Sequence, residues 1–203
     1  MENQTIGSWL GELASAAPAP GGGAAAALET AMAAALVEMV CNLTIGKPAY
    51  AEHDDAMHAV LGRATVLRGE AVLLADEDAE VFRAVIEAYR IPKDDDSRAP
   101  RIQAALAEAA DVPRRTAVAA IEILDLVESI APIGNVNVIS DGAAAAAAAR
   151  GALQTALLNI DANRASIDDP LLRDDLAAAA AAIERQLFRA DAIVATIRTR
   201  MAG

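Results

Sequence analysis

The chain has 203 residues and a formal charge of −12, from 17 basic and 29 acidic side chains. The length suits a single domain with a proper core, and the acidic balance argues against nucleic acid and anionic membranes as partners. Hydrophobic residues make up 55% of the chain and aromatic residues only 2%, so Ala, Leu, Val and Ile must build the core. We therefore expect an all-α fold over residues 1–203, a multihelical antiparallel bundle with a helical hairpin and no sheet.

The N-terminal region indicates a cytoplasmic protein. Residues 1–10 lack the basic segment that precedes the apolar run of a secretory signal. The single cysteine, Cys41, fits a reducing compartment and offers no zinc-ligand spacing. The apolar segment 24–43 contains Glu29 and Glu38 and owes its hydropathy mainly to alanine, so we do not expect it to span a membrane.

Three consecutive glycines mark the start of the central helix. Apolar residues at helical spacing predict a short helix over 5–16, and Pro20 then leads into Gly21, Gly22 and Gly23. An Ala-rich helix is predicted from 24 to 44. Bare backbone N–H groups at its start suit an anion or an oxyanion. A flexible cap before a buried helix is the alternative, since the run lacks the ending of a phosphate loop.

Lys47 stands in the break after this helix, between Gly46 and Pro48, which end it. A cation there either complements the helix dipole or clamps a substrate carboxylate or carbonyl. A long helical pattern follows from 50 to 90, with a kink expected near one of its two glycines.

Periodicity places Asp78 in the middle of an apolar stripe on this long helix. The stripe consists of Ala71, Leu74, Ala75, Phe82, Val85 and Tyr89. A carboxylate there must be paired, or its pKa rises because desolvation penalises the charged form. Asp78 is therefore either a catalytic acid or base or a buried structural acid, whereas Asp76, Glu77 and Glu80 point away from the stripe.

The second half of the chain reads as four helices, predicted over 98–111, 113–130, 142–167 and 171–201. Pro113 is expected in the first turn of the second of these. Residues 131–141 alternate apolar and polar side chains and are interpreted as an extended loop, with Ser140 or Asp141 capping the next helix. Asn159 and Asn163 share one face of that helix, one turn apart.

Six motifs give the chain a recognisable resemblance. In order they are PAPGGG, MVCNLTIGKPAY, LLADEDAEVF, IPK, GNVNVISD and NIDAN. They resemble the formimidoyltetrahydrofolate cyclodeaminase and methenyltetrahydrofolate cyclohydrolase family along essentially the whole chain. The resemblance implies an enzyme that acts at the carbon between N5 and N10 of tetrahydrofolate, as a homodimer, without a metal or a tightly bound cofactor.

The resemblance also implies roles for particular residues. It makes Asp78, in the DAxxF motif, the proton donor, and it makes Lys47 a second catalytic residue, which clamps the folate. It makes Lys93 a residue of the active-site rim. The residues expected around the folate are Pro20, Gly21, Gly22, Gly23, Tyr50, Asn135, Asn137, Ser140, Asp141 and Asn159.

The motifs leave the reaction open. The chain carries no formiminotransferase domain to supply a formimino-folate, which favours the cyclohydrolase over the cyclodeaminase. Ala24 replaces a serine common in the family, so a hydroxyl contact to substrate is absent there. A non-catalytic helical binding or assembly protein that keeps the fold is the alternative of another class.

Overall fold

The computed structural model describes residues 4–202, which form six α-helices and one 3-10 helix, with no strand in that range. The α-helices are α1 (Ile6–Leu13), α2 (Gly22–Asn42), α3 (Asp54–Arg90), α4 (Arg98–Ile130), α5 (Ile139–Arg164) and α6 (Pro170–Ala202). The 3-10 helix is Pro48–His53. The predicted all-α fold is confirmed.

Helix α2 is the centre of the bundle. It packs between α3 and α5, with α4 behind it, and α6 packs against α5 and α4. Its buried residues are mostly alanine, which lets the neighbouring backbones approach closely. Helix α2 is long and apolar enough to cross a membrane, but 56% of its most apolar 18-residue stretch is buried inside the bundle. Helix α2 thus has the burial of a core helix.

The chain turns sharply between α2 and α3. Gly46 has a φ of 75°, a conformation that glycine adopts without steric cost, and its N–H donates to Asp54 Oδ1 at 3.2 Å. The predicted stop at Gly46 is confirmed. The start of the next helix was placed too early, because Pro48–His53 forms a 3-10 turn and α3 begins at Asp54. Helix α3 then runs unbroken through both of its glycines.

Pro113 lies inside α4, so the expected division into two helices is wrong. A proline has no N–H to give the carbonyl four residues earlier, which here belongs to Ala109. Asn163 Nδ2 from α5 donates to that carbonyl at 3.3 Å. A side chain from the neighbouring helix thus replaces the missing bond, and α4 continues.

Residues 131–138 form a series of tight turns and not the extended loop predicted. Helix α5 begins at Ile139, three residues earlier than expected, and Val138 precedes it without a side-chain cap. Ser140 and Asp141 therefore lie inside the first turn, and the capping role predicted for them is wrong. Asp141 instead places a carboxylate in the first turn, where the helix dipole favours it.

Candidate active site

The Asp78 carboxylate lies at the N-terminus of α2. The helix begins after Gly21, and the N–H of Ala24 donates to Asp78 Oδ2 at 2.9 Å. A Cβ on Gly23 would lie 2.5 Å from Asp78 Cγ and 2.8 Å from Oδ2. Only glycine leaves room for the carboxylate there. Asp78 Oδ1 makes no hydrogen bond to the residues that the structure describes, so one oxygen is held and the other is free.

The electrostatics of Asp78 combine two opposed effects. Burial raises the pKa of the Asp78 carboxyl, and the bond from the Ala24 N–H works against that rise. No charged side chain contributes to the shift. Desolvation wins, so the proton is held to a higher pH than on an exposed aspartate.

The apolar stripe around Asp78 is only partly as predicted. Leu74, Ala75 and Val85 are buried, but Phe82 and Tyr89 are 44% and 49% exposed. Asp78 itself is half-buried, because it faces the open end of α2 and not the middle of the core. The spacing identified the right face of α3 but not where that face ends.

Asn159 of α5 borders the same end of α2 from the other side. Its amide lies near Gly22, where an added Cβ would be 3.5 Å from Nδ2, and Nδ2 donates to the Thr155 carbonyl at 2.8 Å. The peptide bond between Ala19 and Pro20 is cis and leads into the glycine turn. We refer to Pro20, the three glycines, Asp78 and Asn159 as the N-terminal group, since all lie at the N-terminus of α2.

Asn135 lies at the opposite end of α2 and holds the 131–138 turns in place. It is 1% exposed, its N–H donates to Thr44 Oγ1, and its Nδ2 donates to the Leu43 carbonyl at 2.8 Å. Its Oδ1 accepts the N–H of Asn137. The Asn135 amide is thus occupied by the protein's own backbone.

A second set of predicted site residues lies beyond the C-terminus of α2, and it includes Lys47, Tyr50 and Asn137. The Tyr50 hydroxyl accepts the N–H of Val136 at 3.1 Å. Lys47 and Asn137 are exposed, and within residues 4–202 the Lys47 ammonium has no hydrogen-bond or ion-pair partner. Ser140 is exposed nearby at the start of α5. We refer to Lys47, Tyr50, Asn135, Asn137, Ser140 and Asp141 as the C-terminal group.

One chain does not bring the two groups together. They lie at opposite ends of α2, whose 21 residues span about 30 Å at the rise of an α-helix. Lys93 lies at the tip of the α3–α4 hairpin, about 18 Å along α3 beyond Asp78. The predicted site residues therefore form two separate sets, and the catalytic pair Asp78 and Lys47 is divided between them.

Sequence reasoning overlooked two polar residues, Glu29 within α2 and Thr44 just after its C-terminus. Thr44 is fully buried and joins α2 to the 131–138 turns. Glu29 places Oε2 beside Gly151 of α5 with no hydrogen-bond partner in the described part of the chain, and burial raises its pKa. A polar residue within an apolar helix was the available signal for both.

Comparison with known proteins gives consistent matches. The sequence profile of the Formiminotransferase-cyclodeaminase family matches residues 5–182. Methenyltetrahydrofolate cyclohydrolase of Methylorubrum extorquens is 46% identical over 171 residues, covering 82% of each chain. Formimidoyltransferase-cyclodeaminase of Mus musculus is 28% identical, and the match spans 84% of this chain but 32% of the mouse protein. Formiminotetrahydrofolate cyclodeaminase from Thermotoga maritima superposes with a TM-score of 0.91 at 28% identity, over 100% of this chain and 99% of that one.

Proposed function

The chain belongs to the formiminotransferase-cyclodeaminase family and is a folate enzyme of its cyclohydrolase/cyclodeaminase type, and we propose that it hydrolyses 5,10-methenyltetrahydrofolate to 10-formyltetrahydrofolate. The choice within the family rests on similarity. The Methylorubrum cyclohydrolase is 46% identical over most of both chains, whereas the mouse bifunctional protein is 28% identical. The geometry that supports the chemistry is the Asp78 carboxylate, anchored through Oδ2 and free at Oδ1.

The proposed reaction begins with water attack on the cationic methenyl carbon. The new C–O bond forms as the C–N π electrons return to nitrogen, and Asp78 Oδ1 accepts a proton from the attacking water. The ionised carboxylate also stabilises the cation before the attack. The C–N5 bond of the tetrahedral adduct then breaks, its electron pair stays on N5, and Asp78 returns the proton there. The hydroxyl proton leaves to solvent, and a formyl group remains on N10.

The raised pKa of Asp78 favours a second candidate, the cyclodeaminase reaction. There N10 attacks the formimino carbon, and the C–N bond to the departing nitrogen breaks. Ammonia must take up a proton as it leaves, and a carboxyl group that keeps its proton to higher pH can supply it. The two reactions thus require opposite protonation states of Asp78 at their start.

Two assays separate the candidates. The purified protein mixed with 5,10-methenyltetrahydrofolate is expected to accelerate loss of the methenyl absorbance. The same protein mixed with 5-formimidoyltetrahydrofolate is expected to release little ammonia. The reverse pattern would assign the cyclodeaminase, and activity on neither substrate would favour a non-catalytic binding protein.

We propose further that the enzyme is a homodimer whose active sites each use both protomers. Helix α2 exposes an apolar stripe that includes Met32 and Met39, which are 56% and 44% exposed. Met32 is also the midpoint of Gly22–Asn42. A two-fold axis near it would pair two α2 helices antiparallel, bury both stripes, and bring the N-terminal group beside the partner's C-terminal group. The partner's Lys47 would then reach the folate on Asp78.

Mixing two variants, each impaired in a different residue of the shared site, tests this arrangement. Asp78→Asn protein and Lys47→Ala protein, mixed equally and allowed to exchange subunits, should form heterodimers with one intact site. The mixture is expected to regain about a quarter of wild-type activity, because half of the dimers carry one of two sites. No recovery despite exchange, or a monomeric mass at micromolar concentration, would contradict the shared site.

The remaining parts of the proposal follow from the reaction. The proposed reaction uses Asp78 for proton transfer and assigns no step to a metal or a tightly bound cofactor. Nucleic acid and membranes are not proposed as partners of a chain with a charge of −12. We place the enzyme in the cytoplasm, where a reducing environment suits its single, buried cysteine.

A further inference from the structure

Helix α1 is attached to the bundle mainly through Trp9, with Leu13 partly buried against the same apolar cluster. Its eight residues run from Ile6 to Leu13, and Trp9 is the one that is buried. Trp9 is 8% exposed, whereas Ile6 and Leu10 are 81% and 51% exposed. An amphipathic helix that buried its apolar face for stability alone would cover these neighbours too. The indole therefore serves as a local anchor.

The indole lies in the surroundings of Asp78. Trp9 belongs to a small apolar cluster, separate from the main core, that contains Ala24 of α2 and Leu74 and Ala75 of α3. Ala24 donates its N–H to Asp78. Leu74 and Ala75 precede Asp78 by four and three residues, so they lie on the same face of α3. Trp9 thus packs on the groups that flank the carboxylate.

From this placement we infer that Trp9 is a positioning residue of the active site, which shields one side of Asp78 from water and so sets the pH range in which Asp78 exchanges protons. The inference rests on the proposed catalytic role of Asp78. A bulky aromatic side chain against a carboxyl group excludes solvent and favours the neutral form. Burial is the cause that raises the pKa of Asp78, and Trp9 is the largest residue of the cluster.

Burial, and not a neighbouring charge, raises the pKa of Asp78. The first turns of α2 contain no titratable side chain before Glu29, and α5 contributes the neutral Asn159. On α3, Glu77 faces α4 and pairs with Arg115, and Asp76 and Glu80 point elsewhere. Glu12, the acidic residue of α1, is hydrogen-bonded by Gln4.

The pH dependence of turnover tests the role of Trp9. In the cyclohydrolase reaction Asp78 must be ionised, so activity rises with pH along an acid limb. Trp9→Ala admits water to the carboxylate, and that limb should move to lower pH by about half a unit or more. Trp9→Phe keeps an aromatic shield and should stay near the wild-type limb.

A matched control separates this effect from loss of stability. Ile183 of α6 is 2% exposed in the main core, so Ile183→Ala should lower the melting temperature without moving the limb. The inference would be overturned if the acid limb of the pH profile lay at the same pH in Trp9→Ala and Ile183→Ala. It would also be overturned if Trp9→Phe shifted that limb as far as Trp9→Ala does.

The single tryptophan also allows a measurement that needs no turnover. If Trp9 shields Asp78, Trp9 emission should titrate with pH at the Asp78 ionisation, and the titration should disappear in Asp78→Asn, because the inference places the ionising carboxyl next to the indole. This result would support the pairing even if the protein acts on neither folate. Emission that titrates identically in both proteins, or in neither, would overturn it.

Discussion

Gly23→Ala should inactivate the enzyme by displacing Asp78, because position 23 is buried directly against that carboxylate. A Cβ at position 23 would lie 2.5 Å from Asp78 Cγ, about 0.9 Å inside ordinary contact at 3.4 Å, and 2.8 Å from Oδ2. Aspartate is too short to bend away, so the carboxylate must change rotamer and lose the 2.9 Å bond from the Ala24 N–H. A displacement of this size at a catalytic group costs roughly a hundredfold in kcat.

The stability of Gly23→Ala should change much less than its activity. A hydrogen bond to a charged group contributes about 1.5–3 kcal/mol, and exchanging glycine for alanine in a helix returns about 1 kcal/mol. The net loss is about 0.5–2 kcal/mol, a fall of a few degrees in melting temperature for a chain of this length. The assay is kcat for loss of the methenyl absorbance, beside thermal unfolding.

Gly69→Ala on α3 is the matched control. A Cβ at Gly69 meets nothing within 4 Å, so this variant should keep full activity and gain stability. The double variant Gly23→Ala/Asp78→Asn should be no slower than Asp78→Asn alone, because the glycine acts through the carboxylate. Near wild-type kcat in Gly23→Ala, or full additivity in the double variant, would refute the reasoning.

Three further variants probe other parts of the site. Lys47→Ala should lower kcat/KM by about tenfold or more, equivalent to about 1.4 kcal/mol, with an unchanged melting temperature; a loss of stability without a kinetic effect would make Lys47 a helix-end cation. Asn135→Ala should cost about 1–3 kcal/mol in urea unfolding, because the Leu43 carbonyl loses its donor; an unchanged midpoint would contradict that. Glu29 is a carboxyl whose pKa is raised in the folded state, so it destabilises the fold progressively as the pH rises past the normal glutamate range. Glu29→Gln should therefore raise the melting temperature at pH 8 and change it little at pH 4, and a loss of stability at pH 8 would show that the charge has a partner.

The helices could be predicted from the sequence because their signals are local. Apolar periodicity and the Gly46 and Pro48 stop signals depend on neighbours in the chain, and the structure confirms them. The continuation of α4 through Pro113 could not be predicted in this way. It depends on Asn163, 50 positions later in the chain and on another helix.

The candidate site shows the same limit. Periodicity identified Asp78 as an unusual carboxylate but could not identify its partner, since Ala24 lies 54 residues away. Motif order grouped Lys47 with Asp78, although α2 keeps them about 30 Å apart within one chain. Asn135 was expected to face the folate, whereas its buried amide binds the protein backbone. Distances between elements decide these points, and sequence spacing does not contain them.

Turnover by Asp78→Asn is the most direct test of the central claim, that the carboxylate at the start of α2 transfers the proton. Asparagine keeps the volume and can still accept the Ala24 N–H, but it cannot exchange a proton, so kcat should fall about a hundredfold or more with the fold intact. Glu80 is an exposed carboxylate two residues after Asp78 on the same helix, and Glu80→Gln should turn over like wild type. Near-native turnover by Asp78→Asn on both methenyl- and formimidoyl-tetrahydrofolate would contradict the mechanism.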